Sequence, residues 1–239
     1  MKKLLFIINP MAGRQQAQTD LYKMVKIFAD HDYEVTVYPT RARLDCTRKV
    51  LEDDGRFDLV VCCGGDGTLN EMVSGMMQRQ DRRPMGYIPL GSTNDLAVSL
   101  RLPTRVEEAA LRAVTGNEFH MDVGTLNDRY FNYIAAFGAF TETSYATPQE
   151  IKNALGHLAY ILEGVKSLGK ILPIHVKITA DDEQFEEDYL FGAVTNTISL
   201  GGVLKLDPEK VLLDDGMYEL LLVKNPTNAL EAQAMLTAL

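Results

Sequence analysis

Short apolar runs alternate with amphipathic segments through the first half of the chain. The pattern predicts strands over residues 4–8, 34–38, 59–63 and 85–88, and helices over residues 15–30, 44–54 and 68–78. Strict alternation of strand and helix is typical of a parallel, doubly wound sheet. In such sheets ligands bind beyond the carboxyl ends of the strands. We therefore expect the loops that follow these strands to meet at one edge of the sheet.

The pattern changes after about Asn117. Strands are predicted over residues 121–126, 130–137, 174–180, 185–195 and 218–223, with one helical stretch over residues 148–168. The turn pairs Asn127-Asp128 and Asp181-Asp182 indicate hairpins. The sequence therefore predicts an α/β fold class in which an N-terminal domain, residues 1–118, precedes an antiparallel β domain, residues 119–239.

Composition narrows the function classes. The chain has 239 residues, a net charge of -9 and 46% hydrophobic residues, and its pI is near 5.0. This acidic balance argues against a nucleic-acid partner. The longest apolar runs are far shorter than the ~20 residues of a membrane-spanning helix, and the run after Lys2-Lys3 is too short for a signal peptide. We expect a cytoplasmic protein. The cysteines and histidines show no metal-ligand spacing.

The most informative motif follows the third strand, where residues 64–71 read Gly-Gly-Asp-Gly-Thr-Leu-Asn-Glu. Glycines let the backbone approach an anion, and a helix that begins at Thr68 would direct its N–H groups at a phosphate. Asp66 would repel phosphates, so its expected use is to hold Mg²⁺. The motif lacks the Lys-Ser or Lys-Thr of a P-loop and the last glycine of a dinucleotide fingerprint. The alternative is an ordinary strand-to-helix turn.

The loop at residues 9–14 follows the first strand. It offers small residues, backbone donors and the Arg14 guanidinium, which suits terminal phosphates. An ordinary helix start with a surface arginine explains this loop equally well when it is taken alone.

The loop at residues 89–95 follows the fourth strand. It supplies a glycine, two hydroxyls, an amide and Asp95 just before a helix. Asp95 is either a helix N-cap or first-turn acid, or a second carboxylate that shares Mg²⁺ with Asp66 and orients an attacking hydroxyl.

Near the end, residues 211–218 form an acidic turn that leads into a strand. A type I turn without metal is the default interpretation. The functional alternative is a magnesium site formed by Asp215 and nearby backbone carbonyls, because oxygen ligands suit a hard cation.

Taken together, these loops resemble the bacterial soluble diacylglycerol kinase family, which is similar to sphingosine and ceramide kinases and more distantly to NAD kinases. The resemblance covers nearly the whole chain. It rests on GGDGTLNE at residues 64–71 and PLGSTND at residues 89–95, supported by Asn9-Pro10 with Gly13, by Asp122-Val123-Gly124 and by Leu213-Asp214-Asp215-Gly216.

The resemblance implies an ATP-dependent and magnesium-dependent kinase that phosphorylates the hydroxyl of a membrane lipid, foremost diacylglycerol to phosphatidic acid. It implies a C-terminal β-sandwich, nucleotide in the cleft between the domains, contact with the inner membrane face and a homodimer. With the loop chemistry, it assigns the catalytic role to Asp66 and Asp95. The nucleotide contacts are Asn9, Gly13, Arg14, Thr40, Gly64, Gly65, Asp66, Gly67, Thr68, Leu69, Asn70, Glu71 and Ser92. A structural Mg²⁺ falls on Asp215 and the carbonyls of Leu212 and Met217.

Two alternatives stay open: a kinase of a soluble metabolite, of the NAD-kinase type, and a non-catalytic protein that binds nucleotide or lipid.

The sequence departs from the family pattern in two places. Its third loop reads Gly-Ser-Thr-Asn-Asp where the family has Gly-Thr-x-Asn-Asp, which preserves a hydroxyl. The family also continues with a late Asp-Gly-Glu segment whose acid takes the proton from the lipid hydroxyl, and this sequence has none; it ends in a helical pattern that begins at Pro226. On this resemblance the second domain is truncated, and we expect the chain as given to turn over substrate poorly or not at all.

Overall fold

The structure is a computed structural model that describes residues 1–138, 172–202, 204–226 and 231. Its first half contains a parallel four-stranded sheet in the order β2-β1-β3-β4. The strands are β1 (Lys2–Ile8), β2 (Tyr33–Pro39), β3 (Leu59–Gly64) and β4 (Met85–Pro89). The alternation in the sequence predicted this arrangement, and the prediction is confirmed.

Helices cover both faces of this sheet. After a 3-10 turn at Ala12–Gln15 come α1 (Gln16–Thr19), α2 (Leu21–Asp30), α3 (Asp45–Leu51), α4 (Asp66–Met77), α5 (Asp95–Ser99) and α6 (Val106–Thr115). Alternate side chains of β1 enter two separate cores: Leu4, Phe6 and Ile8 pack with α2 and α6, whereas Leu5 and Ile7 pack with α3 and α4. Each fully buried side chain of this size contributes roughly 1.5–3 kcal/mol.

Three helices differ from the predicted ones, and the helix predicted over residues 44–54 is the shorter α3 (Asp45–Leu51). The helix predicted over residues 15–30 is interrupted at Asp20, which separates α1 from α2. The helix predicted from Thr68 begins two residues earlier, at Asp66, because Gly65 has extended backbone angles and serves as the N-cap. Asp66 therefore lies in the first turn of α4, where its negative charge is favourable at the positive end of the helix dipole.

The second half is antiparallel. Its described strands are β5 (Gly124–Leu126), β6 (Arg129–Phe131), β7 (Ile134–Gly138), β8 (Ile174–Ala180), β9 (Glu183–Thr195), β10 (Ser199–Leu200), β11 (Leu204–Lys205) and β12 (Glu219–Lys224). Strand β9 pairs with β7, β8 and β12. Asn127 and Asp181 adopt left-handed angles in the two predicted hairpins, which are confirmed.

The strand predicted over residues 130–137 is divided into β6 and β7. Strand β6 pairs with β5, whereas β7 pairs with β9, so the chain changes partners at residues 132–133. The Tyr133 carbonyl at this break accepts hydrogen bonds from the Asn196 backbone N–H and the Thr195 hydroxyl.

The helix predicted over residues 148–168 lies outside the described residues, as does most of the one predicted after Pro226. The proposed domain boundary between residues 118 and 119 falls in the irregular segment between α6 and β5 and stays a prediction. Within the described part of the chain, no helix has the length and hydropathy needed to span a bilayer.

Gly75 provides a test of the packing between α3 and α4. A Cβ at this position would lie 2.9 Å from Val50 Cβ and 3.0 Å from the Thr47 carbonyl oxygen. Alanine normally stabilises a helix interior by about 0.8–1 kcal/mol relative to glycine, but overpacking costs roughly 1–3 kcal/mol. We predict that Gly75→Ala lowers the midpoint of thermal unfolding by a few degrees, measured by circular dichroism. A raised midpoint of thermal unfolding would show that α3 and α4 can move apart slightly at little energetic cost.

Candidate active site

Four loops meet at the carboxyl edge of the parallel sheet, and the sequence predicts this convergence for three of them, at residues 9–14, 64–71 and 89–95. The backbone hydrogen bonds between neighbouring strands continue one residue beyond three of the strands. Asn9 N–H donates to the Cys63 carbonyl at 2.9 Å, Leu90 N–H to the Gly64 carbonyl at 2.8 Å and Thr40 N–H to the Ile8 carbonyl at 2.9 Å. Because β1, β3 and β4 are neighbours in the sheet, the loops at residues 9–14, 64–71 and 89–95 lie side by side.

The two glycine loops touch through their backbones. A Cβ added to Gly91 would lie 2.5 Å from Gly65 Cα, and one added to Gly65 would lie 3.1 Å from Gly91 Cα. No other residue type permits this approach without moving a backbone. Glycine at both positions therefore sets the distance between the second and third loops.

Asn94 holds the third loop closed. Its side-chain oxygen accepts hydrogen bonds from the Gly91 N–H at 2.8 Å and the Tyr87 hydroxyl at 3.1 Å, and its side-chain nitrogen donates to the Gly91 carbonyl at 2.9 Å. Asn94 also adopts left-handed backbone angles, which asparagine tolerates better than most residues. The amide thus has an internal structural role in the loop.

Asp66 lies half-buried between these two loops. Its Oδ2 accepts a hydrogen bond from the Thr93 hydroxyl at 3.3 Å, while its Oδ1 is buried without a partner among the described residues. Burial, and secondarily the charge of Asp95, raise the pKa of the Asp66 carboxyl, and the nearby Thr93 hydroxyl and backbone N–H groups of Asn94 and Leu96 partly offset this rise. A carboxylate with a free buried oxygen is suited to binding a cation.

Asp95 has different surroundings. It is 2% exposed, and both of its oxygens accept hydrogen bonds from the second half of the chain. Ser199 Oγ donates to Oδ1 at 2.6 Å, Gly202 N–H to Oδ1 at 3.0 Å and Gly201 N–H to Oδ2 at 2.9 Å. Asp95 therefore stands beside Asp66 but faces the antiparallel domain.

The first loop lies next to the third. Gly13 has a φ of +60°, and a Cβ there would lie 3.4 Å from Leu90 Cδ2. Asn9 Oδ1 accepts a hydrogen bond from Met11 N–H at 3.0 Å, and Arg14 belongs to the 3-10 turn. Thr40, at the end of β2, is half-buried, and Ser92 is exposed.

Glu71 lies at the end of the glycine motif but contacts helix α3. Its carboxylate accepts hydrogen bonds from the backbone N–H groups of Leu44 at 2.8 Å and Cys46 at 3.3 Å. Its carbonyl accepts one from the Thr47 hydroxyl at 2.8 Å. The side chain thus caps the N-terminus of α3 and ties the loop at residues 40–44 to α4.

The other motif residues divide between the loop surface and the core. Gly67 is exposed with open space around it, and a Cβ at Gly64 would lie 2.5 Å from Thr68 Oγ1. Leu69 is 5% exposed and packs in the core shared with α3, so its side chain faces away from the loops. Asn70 is half-buried.

A groove of about 530 Å³ borders the third loop on the side of α5. Its lining includes glycines and polar groups of the first and third loops, such as Gly13, Gln16, Gly91 and Thr93, and the side of α5 that carries Ala97. The first and third loops therefore open onto a concave surface, whose lining does not include Asp66 or the rest of the second loop.

The acidic turn gathers the three residues assigned to the second metal. Asp215 Oδ1 accepts a hydrogen bond from Met217 N–H at 2.9 Å, and Leu212 precedes them in the same exposed turn. Asp122 braces the turn, because its Oδ2 accepts from Gly216 N–H at 2.6 Å and its N–H donates to the Leu213 carbonyl at 2.8 Å. Among the described residues no cluster of three His, Cys, Asp or Glu side chains could hold a metal.

Five residues that join the two halves at this site were not predicted from the sequence. These are Ser99, Thr197, Ser199, Gly201 and Gly202, which form hydrogen bonds across the seam or around Asp95. The Gly201-Gly202 pair was a turn signal, but nothing in the sequence indicated that the turn lies against Asp95, more than 100 residues earlier.

Comparison with known proteins places this geometry in a family. The model of the diacylglycerol kinase catalytic domain matches residues 3–126. A diacylglycerol kinase of Bacillus subtilis (strain 168) is 37% identical over 226 residues, which cover 94% of this chain and 74% of that protein. One of Staphylococcus saprophyticus is 32% identical over 224 residues, covering 93% of this chain and 73% of its own length.

Solved structures agree with the sequence comparison. The crystal structure of a diacylglycerol kinase from Bacillus anthracis str. Sterne superposes with a TM-score of 0.76 at 28% identity, covering 99% of this chain and 77% of that chain. The matched residues include the loops at residues 9–14, 64–71 and 89–95 and therefore both carboxylates of the site, Asp66 and Asp95. The chain therefore belongs to the diacylglycerol kinase family.

Proposed function

We propose that this protein is a lipid kinase that transfers the γ-phosphoryl group of ATP to the hydroxyl of diacylglycerol, producing phosphatidic acid and ADP. One observation carries the proposal: the half-buried Asp66, with its unpartnered Oδ1, lies between two touching glycine loops at a helix N-terminus. Kinase family membership implies ATP as the co-substrate. Phosphoryl transfer depends on positioning and on charge stabilisation, which such a site supplies.

We propose that the nucleotide phosphates lie against the N-terminus of α4. Gly65 is its N-cap, and backbone N–H groups in the first turn of this 12-residue helix lack an intrahelical partner. The other proposed nucleotide contacts come from the neighbouring loops: Asn9, Gly13, Arg14, Thr40 and Ser92. Gly67, in the first turn of α4, is exposed with open space around it, which leaves room for a phosphate beside the start of the helix.

Asp66 fits a divalent cation. Its Oδ1 is a buried oxygen without a donor, and burial raises the pKa of the carboxyl, so the charged form gains from a positive ion. We propose that Asp66 holds Mg²⁺, which when bound would neutralise phosphate charge. This chain's own residues position the carboxylate: Thr93 donates to it, and Gly65 fixes the start of the helix that carries it.

A second proposed magnesium site is the acidic turn, with the Asp215 carboxylate and the carbonyls of Leu212 and Met217. Asp122 and Asp215 fold the turn tightly through two backbone hydrogen bonds, which supports a site built from oxygen atoms. We also propose a homodimer and contact with the inner membrane face, as the family resemblance implies, because the acceptor is a bilayer lipid.

A substrate panel tests the proposal. The complete gene product, incubated with Mg²⁺ and γ-labelled ATP, should transfer label to diacylglycerol in mixed micelles and leave NAD unlabelled. Reactions without lipid or with EDTA are the controls. Label on NAD alone would establish the soluble-metabolite alternative, and binding of Mg·ATP without transfer to any acceptor would establish a non-catalytic protein.

Glu71 offers a second test, because we expect its carboxylate to affect nucleotide binding indirectly, through the loop at residues 40–44 that it holds in place. Removing it leaves the N–H groups of Leu44 and Cys46 without their acceptor, which frees the loop. We predict that Glu71→Ala weakens Mg·ATP binding about fivefold in calorimetry, which corresponds to about 1 kcal/mol, the net contribution of one typical hydrogen bond. The effects of Glu71→Ala and Thr40→Ala should be non-additive by about 0.5 kcal/mol or more.

Glu52→Ala is the matched control, since Glu52 is a carboxylate at the other end of α3, where it pairs with Arg48. It should leave Mg·ATP affinity unchanged. Strictly additive losses of Mg·ATP affinity in Glu71→Ala and Thr40→Ala would contradict an indirect role of Glu71 through the loop at residues 40–44. They would favour direct contact of Glu71 with the nucleotide.

A further inference from the structure

The seam between the two halves of the chain is built around one buried carboxylate. Asp95 lies in the first turn of α5, and its two oxygens accept three hydrogen bonds from Ser199, Gly201 and Gly202. Gly201 and Gly202 have φ angles of +60° and +70°. Consecutive left-handed residues direct successive N–H groups at one anion, so residues 199–202 form a small concave receptor for the carboxylate.

Ser99, one turn along the same helix, adds a second connection. Its hydroxyl lies 2.6 Å from the Thr197 hydroxyl oxygen and accepts a hydrogen bond from Ile198 N–H at 3.0 Å. Asp95 and Ser99 thus bind the whole segment from Thr197 to Gly202. We call these contacts between α5 and residues 197–202 the α5 latch.

The latch is adjacent to the proposed phosphate site. A Cβ at Gly202 would lie 3.0 Å from Thr93 Cγ2, and the Thr93 hydroxyl donates to Asp66. The same segment follows β9, whose last residue Thr195 donates to the Tyr133 carbonyl. The latch therefore joins the loop that holds Asp66 to the central strand of the second sheet.

The surroundings of Asp95 do not suit a metal ligand. A buried carboxylate is costly unless hydrogen bonds satisfy it, and the three donors meet that requirement. These three donors occupy most of the acceptor positions that the carboxylate presents. Asp66, on the neighbouring loop, has the unpartnered oxygen instead.

We infer that Asp95 and Ser199 are positioning residues: their hydrogen bonds hold the antiparallel domain at a fixed distance from the phosphate loops, and so align the lipid hydroxyl with the nucleotide. This inference rests on the proposed lipid kinase function. It assigns to Asp95 a role in placing the acceptor domain, and it leaves nucleotide binding to the loops of the parallel sheet.

Ser199→Ala tests the inference, because it removes the shortest of the three hydrogen bonds and keeps the backbone. We expect kcat/KM for diacylglycerol to fall about tenfold, the range of a lost hydrogen bond to a charged group. The Kd of Mg·ATP, measured by calorimetry, should stay within about twofold, since the nucleotide loops are unchanged. Thr115→Ala is the matched control: Thr115 is exposed and donates to the Leu111 carbonyl within α6, so both quantities should be unchanged.

Hydrogen exchange gives a readout that does not require activity. In Ser199→Ala and in Asp95→Asn, the amides of Gly201 and Gly202 should exchange at least about tenfold faster than in the wild type, while amides of β1 and β3 keep their protection. Unchanged exchange at both glycines would overturn the latch. A loss of Mg·ATP affinity in Ser199→Ala, with kcat/KM for lipid intact once ATP is saturating, would overturn the positioning role.

Failure of the proposed function has a different signature. A complete gene product that phosphorylates no lipid would refute the lipid kinase assignment, and the exchange experiment would still decide whether residues 199–202 are held by Asp95.

Discussion

The site depends on the different surroundings of two neighbouring carboxylates, Asp66 and Asp95. Asp66 and Asp95 lie close enough that the charge of Asp95 contributes to the raised pKa of Asp66. The two carboxylates differ in the hydrogen bonds that they accept. Asp95 receives three hydrogen bonds from the antiparallel domain, whereas Asp66 keeps a buried oxygen without a donor. One carboxylate thus joins the two halves of the protein, and the other is left to attract a cation.

The parallel sheet explains why these groups meet. Strands β1, β3 and β4 are neighbours, so the loops after them are placed side by side without long connections. Gly65 and Gly91 then bring two loops into backbone contact, Asn94 closes the third loop, and Glu71 ties the Thr40 loop to α4. Some of the motif residues therefore border the proposed phosphate site, and others, such as Asn94 and Glu71, hold the loops in position.

Local pattern predicted much of this arrangement. The alternation of strand and helix predicted the parallel sheet, and the positions of the glycine loops after strands predicted their convergence. The start of α4 was placed two residues late because the extended N-cap geometry of Gly65 is not visible in composition. The partners of Asp95 could not be predicted, since they lie more than 100 residues away and depend on how two sheets pack. The hydrogen bonds from the Leu44 and Cys46 backbone N–H groups to Glu71 could not be predicted either, since they depend on how α3 packs against α4.

Calorimetric titration with Mg·ATP, compared between Asp66→Asn and Asp95→Asn, tests the separation of roles most directly. Both substitutions replace a carboxylate by an amide of nearly the same size, and the two positions are neighbours. If both carboxylates held the cation, the two variants would lose similar amounts of Mg·ATP affinity. The account predicts that Asp66→Asn abolishes measurable Mg·ATP binding with the fold retained, and that Asp95→Asn keeps an affinity within a fewfold of wild type. Equal losses in the two variants, or a larger loss at Asp95, would contradict it.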